Sequence, residues 1–321
     1  MPDERSNETS AKLATSGGSS TSGRLLIVLA SVLWSTNGLF AKSPIFDDWP
    51  QDGRGLALAF WRAVFASAVL LPLVRRPRWD WRLVPMALGF TAMNITFLSS
   101  MVLTTAANAI WLQNTAPLWI FCSGLWIYRE PFDRRNLVPL VSGLIGAALI
   151  VVCEMTYVLT HTSVSGTLLG LASGVFYATV VVSMRRLRED SSTWLIAVNH
   201  VVAAAIMAPW VLTHAPWPHG NQWLVLAGFG VIQMGIPYVL FAEGLKRVSS
   251  QEGAAVGLLE PVLVPIWVYL AWSETPSWWT IAGGAAILVG LTWRYLRTSR
   301  RISIARRDIE METRVGEGES E

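Results

Sequence analysis

Ten apolar runs of bilayer length follow one another along the chain, near residues 24–41, 55–74, 83–104, 107–128, 136–153, 166–187, 193–213, 222–243, 253–272 and 277–297. A bilayer core about 30 Å thick is crossed by about 20 apolar residues in helix. Within it every backbone N–H and C=O must find a partner inside the protein, which leaves helices or a closed barrel. The runs lack the period-two alternation of barrel strands. An all-α membrane protein of ten transmembrane helices is therefore expected. Composition agrees: 52% of residues are hydrophobic and 15% charged, against roughly 25% charged in soluble domains. Of the 25 basic and 22 acidic side chains, 16 lie in residues 1–23 and 298–321.

The basic residues then set the orientation. Short connections make successive helices antiparallel. With the N-terminus in the cytoplasm, Arg75, Arg76, Arg78, Arg82, Arg129, Arg134, Arg135, Arg185, Arg186, Arg188, Lys246, Arg247 and the arginines from Arg294 onward all fall inside. Only Lys42 and Arg54 fall outside. This is the positive-inside rule. Both termini are read as cytoplasmic and the chain as a multi-pass protein of the cell (inner) membrane. The N-terminal 1–23, rich in Ser, Thr and Gly, reads as a disordered tail, and 298–321 as a charged cytoplasmic tail. The run from Leu25 reads as a first membrane helix, since further spans follow it at once.

Division after the fifth run gives halves, 24–153 and 166–297, that enter the membrane from opposite sides. A displacement of 144 residues brings Ala116-Pro117 onto Glu260-Pro261, Glu130 onto Glu274 and Gly146 onto Gly290. A displacement of 138 brings Arg62 onto His200. Two inverted five-helix repeats are expected, an architecture of secondary transporters whose binding site lies where the repeats meet.

The order of these features carries a family likeness. Ala106-Ala107-Asn108-Ala109-Ile110-Trp111-Leu112-Gln113-Asn114-Thr115-Ala116-Pro117 leads to Tyr128-Arg129-Glu130 and then to Gly143 and Gly146. Leu259-Glu260-Pro261 leads to Trp272-Ser273-Glu274, then to Gly283-Gly284 and Gly290. The pattern resembles the paired EamA domains of the drug/metabolite transporter superfamily, and Trp34-Ser35 and Arg62 match positions often so filled there. The likeness spans about 24–297. It implies a secondary transporter, often an exporter, of small metabolites. The halves depart from each other at Trp61-Arg62, where the second has Asn199-His200.

Charges in hydrocarbon are costly, so they line cavities or pair. Arg62 falls in the outer half of the second run and Glu260 in the inner half of the ninth. Arg62 is either a snorkelling or paired arginine or an anchor for a solute carboxylate. Glu260 is either glue between helices or the proton-coupling group. Trp34, Asn37, Asn94, Gln113, Asn114, Tyr177, His200, Gln233 and Tyr238 lie at similar depth. With Arg62 and Glu260 they form the expected substrate-binding set. Pro117 and Pro261 each remove a backbone donor and are read as hinges or packing bends. Gly166, Gly170 and Gly174 form a small-residue packing stripe. Glu130 and Glu274, at run ends, are expected to cap or pair.

The residues exclude other classes. There is no G-x-x-x-x-G-K-[ST] loop for nucleotide hydrolysis. Of four histidines only His200 lies within a run, no H-E-x-x-H occurs, and Cys122 and Cys153 lack metal-ligand spacing. Neither a catalytic set, a metal nor a cofactor is expected, and the basic clusters follow topology, not a nucleic-acid face. The expected partners are a small-molecule solute and the lipid bilayer, with the chain a monomer or homodimer. Amino acids or related amphipathic solutes lead. Nucleotide sugars or sugar phosphates are the alternative within the superfamily, and a non-transporting receptor or assembly factor the alternative outside it.

Overall fold

The computed structural model describes residues 21–126, 129, 137–156, 164–187, 189–248 and 250–293. Among them every regular element is helical. The helices are α1 (Thr21–Ala41), α2 (Gln51–Leu70), α3 (Leu83–Leu103), α4 (Ala106–Gln113), α5 (Ala116–Trp126) and α6 (Leu137–Thr156). They continue as α7 (Val164–Arg186), α8 (Ser192–His214), α9 (Gln222–Leu245), α10 (Ser250–Gly257), α11 (Leu259–Trp272) and α12 (Trp278–Trp293). Eight helices among the described residues are long and apolar enough to cross a membrane, the last of them over Ala255–Trp272.

Two expected runs are each divided, the fourth at Asn114–Thr115 and the ninth at Leu258. The fourth, 107–128, divides at Asn114 and Thr115 into α4 and α5. Thr105 starts α4 by accepting a hydrogen bond from the Asn108 N–H, the usual role of an N-cap hydroxyl. Pro117 falls in the first turn of α5, where no helical donor is missed. The tenth run is helical over Trp278–Trp293, and its last residues, 294–297, lie outside the described ones. Helix α1 begins at Thr21, three residues before its run. Most of both tails, 1–20 and 298–321, lies outside the described residues, as do Glu130 and the basic Arg134, Arg135 and Arg188.

Helices of residues 21–156 pack against helices of 164–293: α3 on α7 and α8, α2 on α8 and α9, α4 on α7, and α1 on α11. In lipid, close backbone approach does what hydrophobic burial does in water. The glycine stripe on α7 lies against the end of α3 and against α4: a Cβ on Gly166 would stand 2.8 Å from Leu103 and one on Gly174 2.7 Å from Thr115. Gly146 of α6 and Gly283 of α12 face each other so closely that a Cβ on either would meet the other's carbonyl oxygen, at 2.4 and 2.6 Å. Larger side chains there would force whole helices apart. Ser273, with a φ of 54°, closes α11 in the left-handed region.

Candidate functional site

Three interruptions of regular helix surround one group of polar side chains. Helix α1 turns at Thr36, immediately before Asn37. Helix α9 opens into one π-helical turn over Val231–Gly235, which carries Gln233. Leu258 separates α10 from α11, placing Glu260 in the first turn of α11, where the positive end of the helix dipole favours a carboxylate. Such interruptions in membrane helices collect where backbone lines a site instead of lipid.

Arg62 of α2 is at the centre. It is 2% exposed, and its Nη2 donates to Asn94 Oδ1 on α3. Asn94 Nδ2 in turn donates to the Ala59 carbonyl at 3.3 Å. The guanidinium lies over the Phe229 ring, 5.0 Å from its centroid, a cation–π contact strengthened by the lack of water. Gly230 makes this approach fit, since a Cβ there would stand 2.8 Å from the Arg62 carbonyl. Arg62 and Glu260 interact electrostatically, and Tyr238 lies within the same field. Because α11 starts anew at Leu258, Glu260 lies in its first turn, within reach of Asn37 on α1.

The rest of the group converges from α1, α8, α9 and α11. Asn37 Nδ2 donates to Glu260 Oε1 at 3.2 Å, and Gln233 Nε2 to the Trp34 carbonyl at 3.1 Å. Trp34 packs edge-on to Tyr238, with centroids 5.1 Å apart, and against Phe241 at the same separation. His200 is fully buried, 4.8 Å from Phe90 and 6.1 Å from Tyr238, ring centre to ring centre. Trp267 Nε1 donates to Ser35 Oγ at 2.8 Å and steadies α1 on α11.

Buried polar atoms nearly always find partners, yet this group holds several without one among the described residues. They are Arg62 Nε, Asn37 Oδ1, Gln233 Oε1 and both ring nitrogens of His200. The set offers a cationic donor and amide acceptors within an aromatic frame. Polar atoms of both signs, held by fixed helices and unspent on each other, suit a solute that itself carries both signs.

Eight expected site residues meet here: Trp34, Asn37, Arg62, Asn94, His200, Gln233, Tyr238 and Glu260. The other three lie elsewhere. Gln113 and Asn114 stand at the α4–α5 break, where Asn114, Pro117, Phe121, Arg185 and Leu291 line a separate cavity of about 110 Å³. Tyr177 is 40% exposed on α7. Pro117 and Pro261 both follow a break by two or three residues, and Pro261 O accepts from Trp111 Nε1 at 2.9 Å.

Glu154 was not among the expected residues, because the fifth run ends at Cys153 by hydropathy. It is 5% exposed and accepts from Asn108 Nδ2 at 3.0 Å and Trp279 Nε1 at 3.2 Å, tying α4 and α12 to α6. One more turn of helix added to the run would have included it. Glu274 pairs with Lys42 at 2.9 Å and accepts from the Ala106 N–H at 2.7 Å, capping α4, in line with its position at a run end.

The sequence pattern of the EamA-like transporter family matches residues 21–152 and again 164–295. An uncharacterized transporter of Archaeoglobus fulgidus is 28% identical over 85% of this chain and 96% of its own length. The pseudopaline exporter CntI of Pseudomonas aeruginosa is 26% identical, over 84% and 94%. The aromatic amino acid exporter YddG of Ancylobacter novellus is 25% identical, over 85% and 96%. A solved crystal structure shares the fold, with a TM-score of 0.60 at 22% identity, over 87% of this chain and 98% of its own.

Proposed function

The chain belongs to the EamA-like transporter family, and from that premise we propose that it exports small zwitterionic metabolites, amino acids or their relatives, by alternating access around the Arg62 cluster. The observation that carries this reading is the set of buried, unspent donors and acceptors around a single guanidinium. Arg62 takes the solute carboxylate in a charge-assisted hydrogen bond. Asn37 Oδ1 and Glu260 take its ammonium, and Trp34, Tyr238 and Phe241 hold its apolar part. Relatives named as exporters of pseudopaline and of aromatic amino acids support the class and the direction. Nucleotide sugars and sugar phosphates are disfavoured, since Arg62 is the one cation in the group and a phosphate ester calls for several.

In this reading the ten runs are ten spans. α4 with α5 forms the fourth, α10 with α11 the ninth, and α12 lies in the tenth. Residues 24–153 and 166–297 are the inverted repeats, and both termini are cytoplasmic in the inner membrane. The binding group draws on both repeats, so rocking one bundle on the other exposes it to either side in turn. Glu260, the carboxylate next to the bound ammonium, carries the coupled proton.

Counterflow of labelled phenylalanine and other amino acids into proteoliposomes tests the proposal. Wild-type protein is expected to exchange at least one of them, with Arg62→Met reducing the exchange and an imposed pH gradient changing its rate. Absence of exchange for all of them would favour a non-transporting role. A flux that ignores pH in both wild type and Glu260→Gln would remove the proton from the mechanism.

A further inference from the structure

A further polar assembly lies apart from the central group, where the α1–α2 connection meets the start of α9. The connection between α1 and α2, residues 42–50, folds back over the bundle. Phe46 and Trp49 are buried there, 0% and 1% exposed, while Asp48 stays at the surface. Gln222, the first residue of α9 and 1% exposed, spends its whole side-chain amide on this connection and on the turn before its own helix. Its Nε2 donates to the Ile45 carbonyl at 2.8 Å and to Asp48 Oδ1 at 2.9 Å. Its Oε1 accepts from Trp49 Nε1 at 3.2 Å and from the His219 N–H at 3.1 Å. An amide has two donors and two acceptor sites, so nothing is left over. His219 Nε2 meets the other Asp48 oxygen at 3.0 Å. These hydrogen bonds, His219 first, hold the Asp48 carboxyl below the usual carboxylate range.

Beneath this knot the aromatic layers run inward. Trp61 packs on Trp223 at 4.9 Å and on Trp217 at 5.9 Å, and Phe40 stacks on Phe229 at 5.2 Å. Phe229 is also the ring that Arg62 touches. Gln222 of the knot, Trp223 and Phe229 thus lie on the same helix, which runs from the knot to the ring against the binding group. The 42–50 connection belongs to the first half and the α8–α9 turn to the second.

We propose that Asp48, His219 and Gln222 are the outer gate: they hold the two halves together across the outer face, and their bonds must part before solute leaves. This rests on the transporter reading above. Gln222 acts by position. It fixes Trp49 and Ile45 over the aromatic stack, and a flexible connection in their place would leak. At the opposite end the halves are tied by Trp194, whose Nε1 donates to the Arg78 carbonyl at 2.8 Å, and by Arg24–Glu252 at 2.5 Å, which joins side chains 56% and 35% exposed and so contributes little.

The test converts the Asp48–His219 contact into a metal clamp. Asp48→Cys sets a thiolate beside the native imidazole, a pair of zinc ligands. Phenylalanine counterflow by Asp48→Cys is expected to equal or exceed wild type without metal and to fall at least tenfold with external Zn²⁺. Chelation should restore it, and adding His219→Ala should abolish the zinc effect. Unchanged flux with zinc bound, as seen by native mass spectrometry, would overturn the gate. Failure to bind zinc would overturn the contact itself. A second readout is independent of any substrate. Phe40→Cys, in an Asp48→His background with Cys122→Ser and Cys153→Ser so that the zinc site holds no competing thiol, should react with an impermeant maleimide from outside, and zinc should protect it. Labelling that zinc leaves unchanged overturns the gate even if the protein transports nothing, whereas protection without flux leaves the gate standing and the substrate assignment fallen.

Discussion

Two helix breaks stand 144 residues apart, one at Asn114 between α4 and α5 and one at Leu258 between α10 and α11. Each is followed within three residues by a proline, Pro117 or Pro261. What differs is the residue just before it. Ala116 is apolar and 2% exposed, and its break opens on a separate cavity lined by Asn114, Arg185, Leu118, Phe121 and Leu291, with no carboxylate among its lining residues. Glu260 instead meets Asn37 and the field of Arg62. The same backbone device therefore serves two ends. A break frees carbonyls and turns a helix start toward the interior, but only where the chain also supplies a carboxylate and a cation does it become a polar site. The asymmetry extends to Arg62 and His200, equivalent under the 138-residue displacement. One carries the charge, and the other lies beside Tyr238 with both ring nitrogens unspent.

The largest effect should come from removing the cation that only one half provides. Arg62→Met keeps the bulk and the contact with Phe229 but loses the charge. A charge-assisted hydrogen bond contributes about 2 kcal/mol, which corresponds to about thirtyfold in affinity for a carboxylate-bearing solute. Binding to detergent-solubilised protein by calorimetry or scintillation proximity measures it, with Arg62→Lys as a folded control of intermediate strength. An affinity within threefold of wild type for Arg62→Met would mean that the polar group is structural.

Making the second break chemically like the first is the next test. Glu260→Ala should weaken binding of a zwitterion about tenfold, from loss of about 1.4 kcal/mol, while a solute without the ammonium should bind as before. Glu260→Gln keeps a hydrogen-bond acceptor for Asn37 but cannot take up a proton. It should bind the zwitterion less tightly than wild type but more tightly than Glu260→Ala, and lose the response of counterflow to an imposed pH gradient. Equal losses for both solutes in Glu260→Ala would show that the carboxylate supports the helices and does not face the ligand.

The halves also show what a sequence makes visible and what it hides. Run length is a property of solvation, so the apolar helices could be placed from the residues alone. The polar group was legible in its members, since Asn37, Arg62, Gln233 and Glu260 are out of place in hydrocarbon. Depth counted along straight helices leaves out the irregular turns beside them. The turn at Thr36, the π-helical turn at Gln233 and the break at Leu258 each shift a side chain relative to that count. Asn114 and Tyr177 were drawn in by depth as well, but azimuth and packing place them apart from Arg62. Glu154 and Gln222 escaped notice because each lies at a helix end, where polar residues need no explanation until burial and partners are known.

The smallest effect, and the sharpest separation of the halves, lies in the prolines. In both breaks the proline occupies the first turn, so an alanine would lose no native hydrogen bond and would add a backbone N–H. Either Pro→Ala change should lower stability by about 0.4–1 kcal/mol through the freer unfolded chain, a shift in melting temperature common to the two. Flux should distinguish them. At Pro261 the added donor allows helix to propagate back through Leu258, which would turn Glu260 away from Asn37 and slow counterflow about two- to fivefold, the rate equivalent of the same energy. At Pro117 the same propagation turns Ala116, which holds no ligand, and counterflow should stay within twofold of wild type. Equal slowing by both would make the breaks a matched pair of hinges, with the carboxylate incidental to the motion. Slowing at Pro261 alone would tie the motion to the polar site.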